Sequence, residues 1–310
     1  AEYEYDLPTK DTLVQVNSLL DGEVGDITDN ALYATILDLI DRKYFKIVVN
    51  DKDNTIIRQT DKDVSNLKAH EKSLITFLSS FAEDGDISIG YVGRKSHRQQ
   101  FYSFIGDWRK QAREETPKSW IKQHFDDKGS KLLLYTACLY VLAFFIIMIA
   151  TVFLWIPKYL FMVTLVAMFI FMFGSVALFI IPRSIPGRWT PKGKEFHDKW
   201  KNFEKYIKDY SLIKERPPAS VQVWGRYIIY ASALGCADEV TRNMKEYFRS
   251  MDIVDDSFDT DTVASFAYYN GFARVESSFN TLSQSESSDS TSSIGSSGSG
   301  GFGGGGGGTF

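Results

Sequence analysis

At 310 residues the chain is long enough for two domains, but its net charge of −4 conceals a strong segregation along the sequence. Residues 1–90 hold 18 acids and 9 bases, 91–131 hold 5 and 10, 132–181 hold a single lysine, 182–216 hold 5 and 10, and the remainder holds 11 and 5. That pattern excludes an evenly solvated chain, and two lone cysteines, Cys138 and Cys236, exclude a disulfide framework or a cysteine metal site.

The sequence begins at Ala1 rather than methionine, as a processed chain or an excised piece does, and it carries no signal peptide. Residues 11–20 read as a short helix with Leu13, Val16, Leu19 and Leu20 on one side. After the turn at Asp21-Gly22, Thr28 caps a longer helix whose apolar positions are Leu32, Tyr33, Ile36, Leu37, Leu39 and Ile40. The strings "YFKIVVN" and "NTIIRQT" flank Asp51-Lys52-Asp53 and predict a β-hairpin. Two helices and a two-stranded wing give residues 1–90 the outline of a winged-helix-like α+β module. A helix over 69–81 adds to its packing, and residues 91–130 supply amphipathic helices leading onward, one with Phe101, Ile105, Trp108 and Ala112 on one face.

A DNA reader needs cations on its reading helix and wing. Here the second helix carries Asp29, Asp38 and Asp41 against Arg42 and Lys43, and residues 1–90 have a net charge of −9, so nucleic acid is not an expected partner. "DKDNT" opens like a calcium loop, but Ile56 stands where glycine is required and Lys62 where the closing glutamate belongs.

Two charge-free runs follow, 132–156 and 159–181, of 25 and 23 residues. As helices they reach about 37 and 34 Å, against a hydrocarbon core of about 30 Å. A single helix across both would be about 75 Å long, and Pro157 would break it. Residues 131–182 therefore read as a two-helix transmembrane hairpin whose tip is "FLWIPKYLF", with Trp155 and Tyr159 as interfacial aromatics. Lys118, Lys122, Lys128 and Lys131 precede the hairpin; Arg183, Arg188, Lys192 and Lys194 follow it; Lys158 is the one cation at the tip. The positive-inside bias places both flanks in the cytoplasm, with Trp155, Tyr159, Lys131 and Arg183 as membrane-interface anchors and lipid as a partner. Trp120 and Trp189 fit either an interface or a core.

Thr190-Pro191 is a helix start, and Phe196, Trp200, Phe203, Ile207 and Tyr210 recur at steps of 4, 3, 4 and 3. Beyond Pro217-Pro218, "VQVWGRYIIYASALG" ends at Gly235, a left-handed cap, and "ADEVTRNMKEYF" makes a third helix. Residues 190–250 thus form a small helical unit in which Trp200, Trp224, Tyr227 and Tyr230 are the candidate core or interaction aromatics. Core packing is preferred over a cofactor box, and no cofactor is expected. Residues 251–310 read as a disordered, flexible tail: 12 of the 24 residues in 277–300 are serine, and glycine dominates after them. Self-association or a peptide ligand is a lesser expectation for its aromatic end.

The four histidines are far apart, "GRWTPKGKE" lacks phosphate-loop spacing, and neither a nucleophile elbow nor a zinc-protease motif occurs. No catalytic or metal residue is assigned. Several strings, among them "EYDLPTKDTLVQVNSLLDGEVGDITDNALYATILDLIDRKYFKI", "WTPKGKEFHDKWKNFEKYIKD" and "VWGRYIIYASALGCADEV", together with the Ser-rich and Gly-rich end, resemble one family. It is the bacterial predicted membrane protein family of domain of unknown function 2207. Its most specific element is the pattern Trp224, Tyr227, Tyr230, Ala231, Ala233, Leu234 and Gly235. The resemblance implies an extracytoplasmic domain and a further transmembrane helix upstream of Ala1, and it carries no activity. The expected whole is a mainly α membrane protein whose winged-helix-like module and small helical unit dock on each other as a non-enzymatic interaction or signal-coupling platform toward an unidentified protein. Its rivals are a membrane-anchored DNA-binding regulator and an accessory subunit of a transport or envelope system.

Overall fold

Apolar seams at helical spacing dominate the sequence, and the computed structural model is correspondingly mainly helical. It describes residues 7–51, 54–153, 158–180, 187–218, 220–251 and 261–283. Helix α1 (Leu13–Leu20) starts at a capping box, with the Thr12 hydroxyl accepting from the Gln15 N–H. Helix α2 (Asp29–Asp41) buries all six of its predicted apolar positions. Strands β1 (Phe45–Asn50) and β2 (Thr55–Gln59) form the expected hairpin, with a register shift between Ile47 and Val49. After α3 (Ala69–Ser79) a third strand, β3 (Asp86–Ser88), adds to β2 and gives the order β1-β2-β3. The sequence pattern missed this strand because three residues are too few to show alternation.

The short α4 (Ile89–Val92) leads to α5 (Arg98–Ala112), whose buried residues are Phe101, Ile105, Trp108 and Ala112, the predicted face. Helix α6 (Lys118–His124) runs into β4 (Phe125–Asp126), and the apolar helices α7 (Lys128–Phe153) and α8 (Lys158–Ile180) follow. These two pack on each other. The Tyr140 and Phe171 rings meet edge to face at 5.3 Å, and Gly174 leaves room for the Tyr140 ring. Most of the exposed large apolar side chains among the described residues lie on this pair: Leu132, Tyr135, Met162 and Ile180 are all highly exposed. Among the described residues, 131–150 in α7 are long and apolar enough to cross a membrane, while the apolar part of α8, 162–178, is shorter. Trp155 and Arg183 lie outside the described residues; Tyr159 lies in the first turn of α8, and Lys131 pairs with Asp127 at 3.1 Å.

Strand β5 (Arg188–Trp189) returns to β4, pairing Phe125 with Trp189 and Asp126 with Arg188. Helix α9 (Pro191–Lys208) is capped by Thr190 and ends two residues before Tyr210, so Tyr206 rather than Tyr210 completes its buried seam. Helices α10 (Tyr210–Glu215), α11 (Val221–Ala233) and α12 (Ala237–Ser250) follow. Gly235, at φ +73°, makes the left-handed exit from α11 that the sequence predicts.

The expectation of a flexible tail from residue 251 is corrected here. Helices α13 (Val263–Tyr268) and α14 (Gly271–Ser283) are folded, and α14 buries Phe272, Val275, Phe279 and Leu282. Steps of 3, 4 and 3 give these four residues a helical face, which offsets the serine-rich composition around them. Residues 284–310 lie outside the described residues. One continuous core runs from Val14 to Leu282, drawing on segments before and after the α7–α8 pair.

Candidate functional site

Helix α11 stands at the junction of the two halves of this core, packed on α1, α2, α12 and α13. Its spacing puts Trp224, Tyr227 and Tyr230 on successive turns. Trp224 lies against Phe248 at 5.7 Å, Tyr227 meets Phe203 edge to face at 5.2 Å, and Tyr230 lies 5.1 Å from Trp200. Trp200, Trp224 and Tyr227 are buried, so this spine is core, and only Tyr230 keeps partial exposure. The segment ahead of α1 straps over it: Trp200 Nε1 donates to Thr9 Oγ1 at 3.1 Å, and Tyr230 OH donates to the Asp11 carbonyl at 3.1 Å.

Tyr230 is also one wall of a polar cavity of about 300 Å³ lined by residues from α1, α2, α3 and the turn after α5. Asp38 in α2 and Arg42, which caps the end of that helix, are one turn apart, with Arg42 Nε 2.8 Å from Asp38 Oδ2. Arg42 reaches on to Glu71, whose other oxygen accepts the Lys68 backbone N–H at 2.8 Å. Glu115 receives Thr12 Oγ1 at 2.6 Å and Lys68 Nζ at 2.5 Å, and lies 3.4 Å from His70 Nε2. Six ionisable groups from three stretches of chain (Asp38 and Arg42; Lys68, His70 and Glu71; and Glu115) thus share one partly enclosed space.

Burial shapes their protonation. It raises the Asp38 carboxyl to about 6, against the opposing pull of Arg42. Burial works against the charge on Arg42, yet Asp38 and Glu71 hold its guanidinium above the ordinary value. The His70 imidazole, 3% exposed, is lowered by burial more than neighbouring Glu115 raises it. Tyr230 is pushed up by burial and by the Asp38 charge. The charge on Asp38 is therefore felt on both sides of the junction, at Arg42 in the first half and at Tyr230 in the second.

A second polar network locks the same junction. Asn17 Nδ2 donates to the Ala233 carbonyl at 2.9 Å and to Thr28 Oγ1 at 2.8 Å, and Asn30 Nδ2 donates to Asp21 Oδ2 at 2.8 Å. A Cβ on Gly235 would stand 3.0 Å from both Asn30 and Asp21, so the end of the aromatic motif is fitted against α1 and α2.

A family model described as the predicted membrane protein (DUF2207) C-terminal domain matches residues 1–244. The chain belongs to this family. No curated protein and no solved structure matches the chain. The DUF2207 match stops within α12, so α13 and α14 complete the core from outside the matched region. The aromatic pattern quoted above is, in this DUF2207 domain, the seam that joins its two halves.

Sequence reasoning found the aromatics but not the cavity. Asp38, Glu71 and Glu115 are too far apart in the chain to be associated, and the one local signal was the i, i+4 spacing of Asp38 and Arg42. Among the described residues, no group of three or more His, Cys, Asp or Glu is placed to hold a metal ion.

Proposed function

We infer that this chain is a multi-pass membrane protein whose α7–α8 pair is a transmembrane hairpin with both flanks in the cytoplasm. Its folded body acts there as a non-enzymatic interaction or signal-coupling platform toward another protein. The observation that carries the reading is the β4–β5 pairing, which brings residue 125, just before the apolar pair, beside residue 189, just after it. Both ends of the pair emerge at one place, as a hairpin requires, and helices from both flanks then build one core. The first part of that body, α1, α2 and the β1–β2 wing, is winged-helix-like in outline, and its acidity favours a protein contact over DNA.

Accessibility labelling tests the topology. With Cys138 and Cys236 replaced by alanine, a membrane-impermeant thiol reagent is applied to intact cells carrying Lys158→Cys or Ser299→Cys. The expected result is labelling of the first alone. Labelling of both from the same side overturns the hairpin reading.

A further inference from the structure

The foot of the apolar pair carries unbalanced positive charge. Residues 118–131 and 188–198 together hold seven lysines and arginines against four carboxylates. Those carboxylates are engaged: Asp126 with Lys128, Asp127 with Lys131, Glu195 with Lys199, and Asp198 with His197. Lys118, Lys122, Arg188, Lys192 and Lys194 are exposed and have no carboxylate partner among the described residues. Two far-separated segments supply these five cations, and the fold gathers them. Arg188 stands opposite Asp126 in the β4–β5 pair, and Lys192 Nζ donates to Gln123 Oε1 of α6 at 3.2 Å. Gly193 lies so close to α6 that a Cβ would fall 1.8 Å from the His124 carbonyl oxygen.

What adjoins this collar decides what it fits. The first turns of α7 expose Leu132, Leu134 and Tyr135. A partner must therefore present anionic groups directly beside a hydrocarbon phase. A phospholipid leaflet does so, whereas a nucleic acid or a dissolved phosphate offers the charge without the hydrocarbon.

We propose that Lys118, Lys122, Arg188, Lys192 and Lys194 form a binding collar for anionic phospholipid headgroups around the base of the α7–α8 pair. The proposal rests on the reading of that pair as membrane-embedded. Each cation held at an anionic surface favours association by about fivefold, so a five-cation collar selects among headgroups.

The test uses the full chain, reconstituted in equimolar phosphatidylglycerol and phosphatidylcholine, then purified so that its retained lipids can be quantified. The expected result is phosphatidylglycerol enrichment of about twofold or more, diminished by high salt. Replacing all five collar residues by glutamine returns the ratio to that supplied. Replacing five exposed cations elsewhere (Lys46, Lys95, Lys110, Lys214 and Arg242) leaves the enrichment intact. Equal loss in both variants reduces the effect to net charge and overturns the collar, as does no enrichment in the parent chain. Abolition by inorganic phosphate at constant ionic strength overturns the headgroup assignment. Release of the chain from vesicles by alkaline carbonate is a different failure, because it overturns the membrane reading itself.

Discussion

The folded body and the α7–α8 pair are built from the same apolar residue types and use them in opposite directions. In the body, Trp108, Trp200 and Trp224 are at most 1% exposed, and the cavity groups are partnered by one another. In the pair, Leu132, Met162 and Ile180 are 67%, 67% and 73% exposed, and from 132 to 180 the sole charged residue is Lys158. The body makes its own apolar phase, while the pair needs one supplied from outside. Stability and pH response should therefore be properties of the body, and solvent preference a property of the pair.

The largest expected effect separates the two directly. Trp200→Ala empties a fully enclosed site and should destabilise the body by about 3–5 kcal/mol in chemical unfolding of the detergent-solubilised chain. Phe169→Ala, on the outer side of α8, should move the same transition by no more than about 0.5 kcal/mol. Equal effects would erase the distinction. Next comes the boundary between the regions. Gly193→Ala drives a methyl group into the His124 carbonyl and should cost about 1–3 kcal/mol, whereas Gly90→Ala, with open space around it, should not destabilise the chain.

A third prediction concerns acid. The Asp38 carboxyl is raised to about 6 from an ordinary 3.8, so the folded chain binds this proton more tightly than the unfolded chain does. Its contribution is fully present below about pH 4, is lost as the pH rises through about 6, and is constant above. Between pH 4 and 7 the parent chain should lose on the order of 2 kcal/mol relative to Asp38→Asn. The difference between the two profiles also removes the contribution of His70. Its lowered value acts in the opposite sense, with stability lost as the pH falls below about 6.5. Superimposable profiles would show that burial at Asp38 has no thermodynamic weight. The smallest effect belongs to the body's surface: Lys43→Gln breaks an exposed pair with Asp261 and should cost less than about 1 kcal/mol.

How much of this could be read from the sequence depended on whether a face was local. Phe101, Ile105, Trp108 and Ala112 identify α5 because three steps of helical spacing lie within one stretch. Thr190-Pro191 and Gly235 mark helix ends through backbone chemistry that no distant contact overrides. The same periodicity was present at Phe272, Val275, Phe279 and Leu282, but serine and acidic neighbours lowered the local hydrophobicity and obscured α14. That the two halves dock follows from the expectation that they share one side of the hairpin, but which faces meet was not legible. The contact of α2 with α11, and with it the Asp38–Tyr230 cavity, depends on two faces nearly two hundred residues apart. Periodicity says that a face is apolar and nothing about which other face will cover it.

The packing of α2 against α11 also bears on the order of events during synthesis. Leu32 and Trp224 belong to one core, yet at bacterial and eukaryotic elongation rates of about 5–20 residues per second their appearance is separated by roughly 10–40 seconds. Through that interval α2 has emerged without the helix that will cover it, and both apolar helices are made before that helix exists. The body can close only after the pair between its halves has been synthesised. On the proposed hairpin reading, the order of synthesis gives the pair time to insert before the body closes, and a chain stalled before α11 would present the face of α2 that α11 covers to any chaperone within reach.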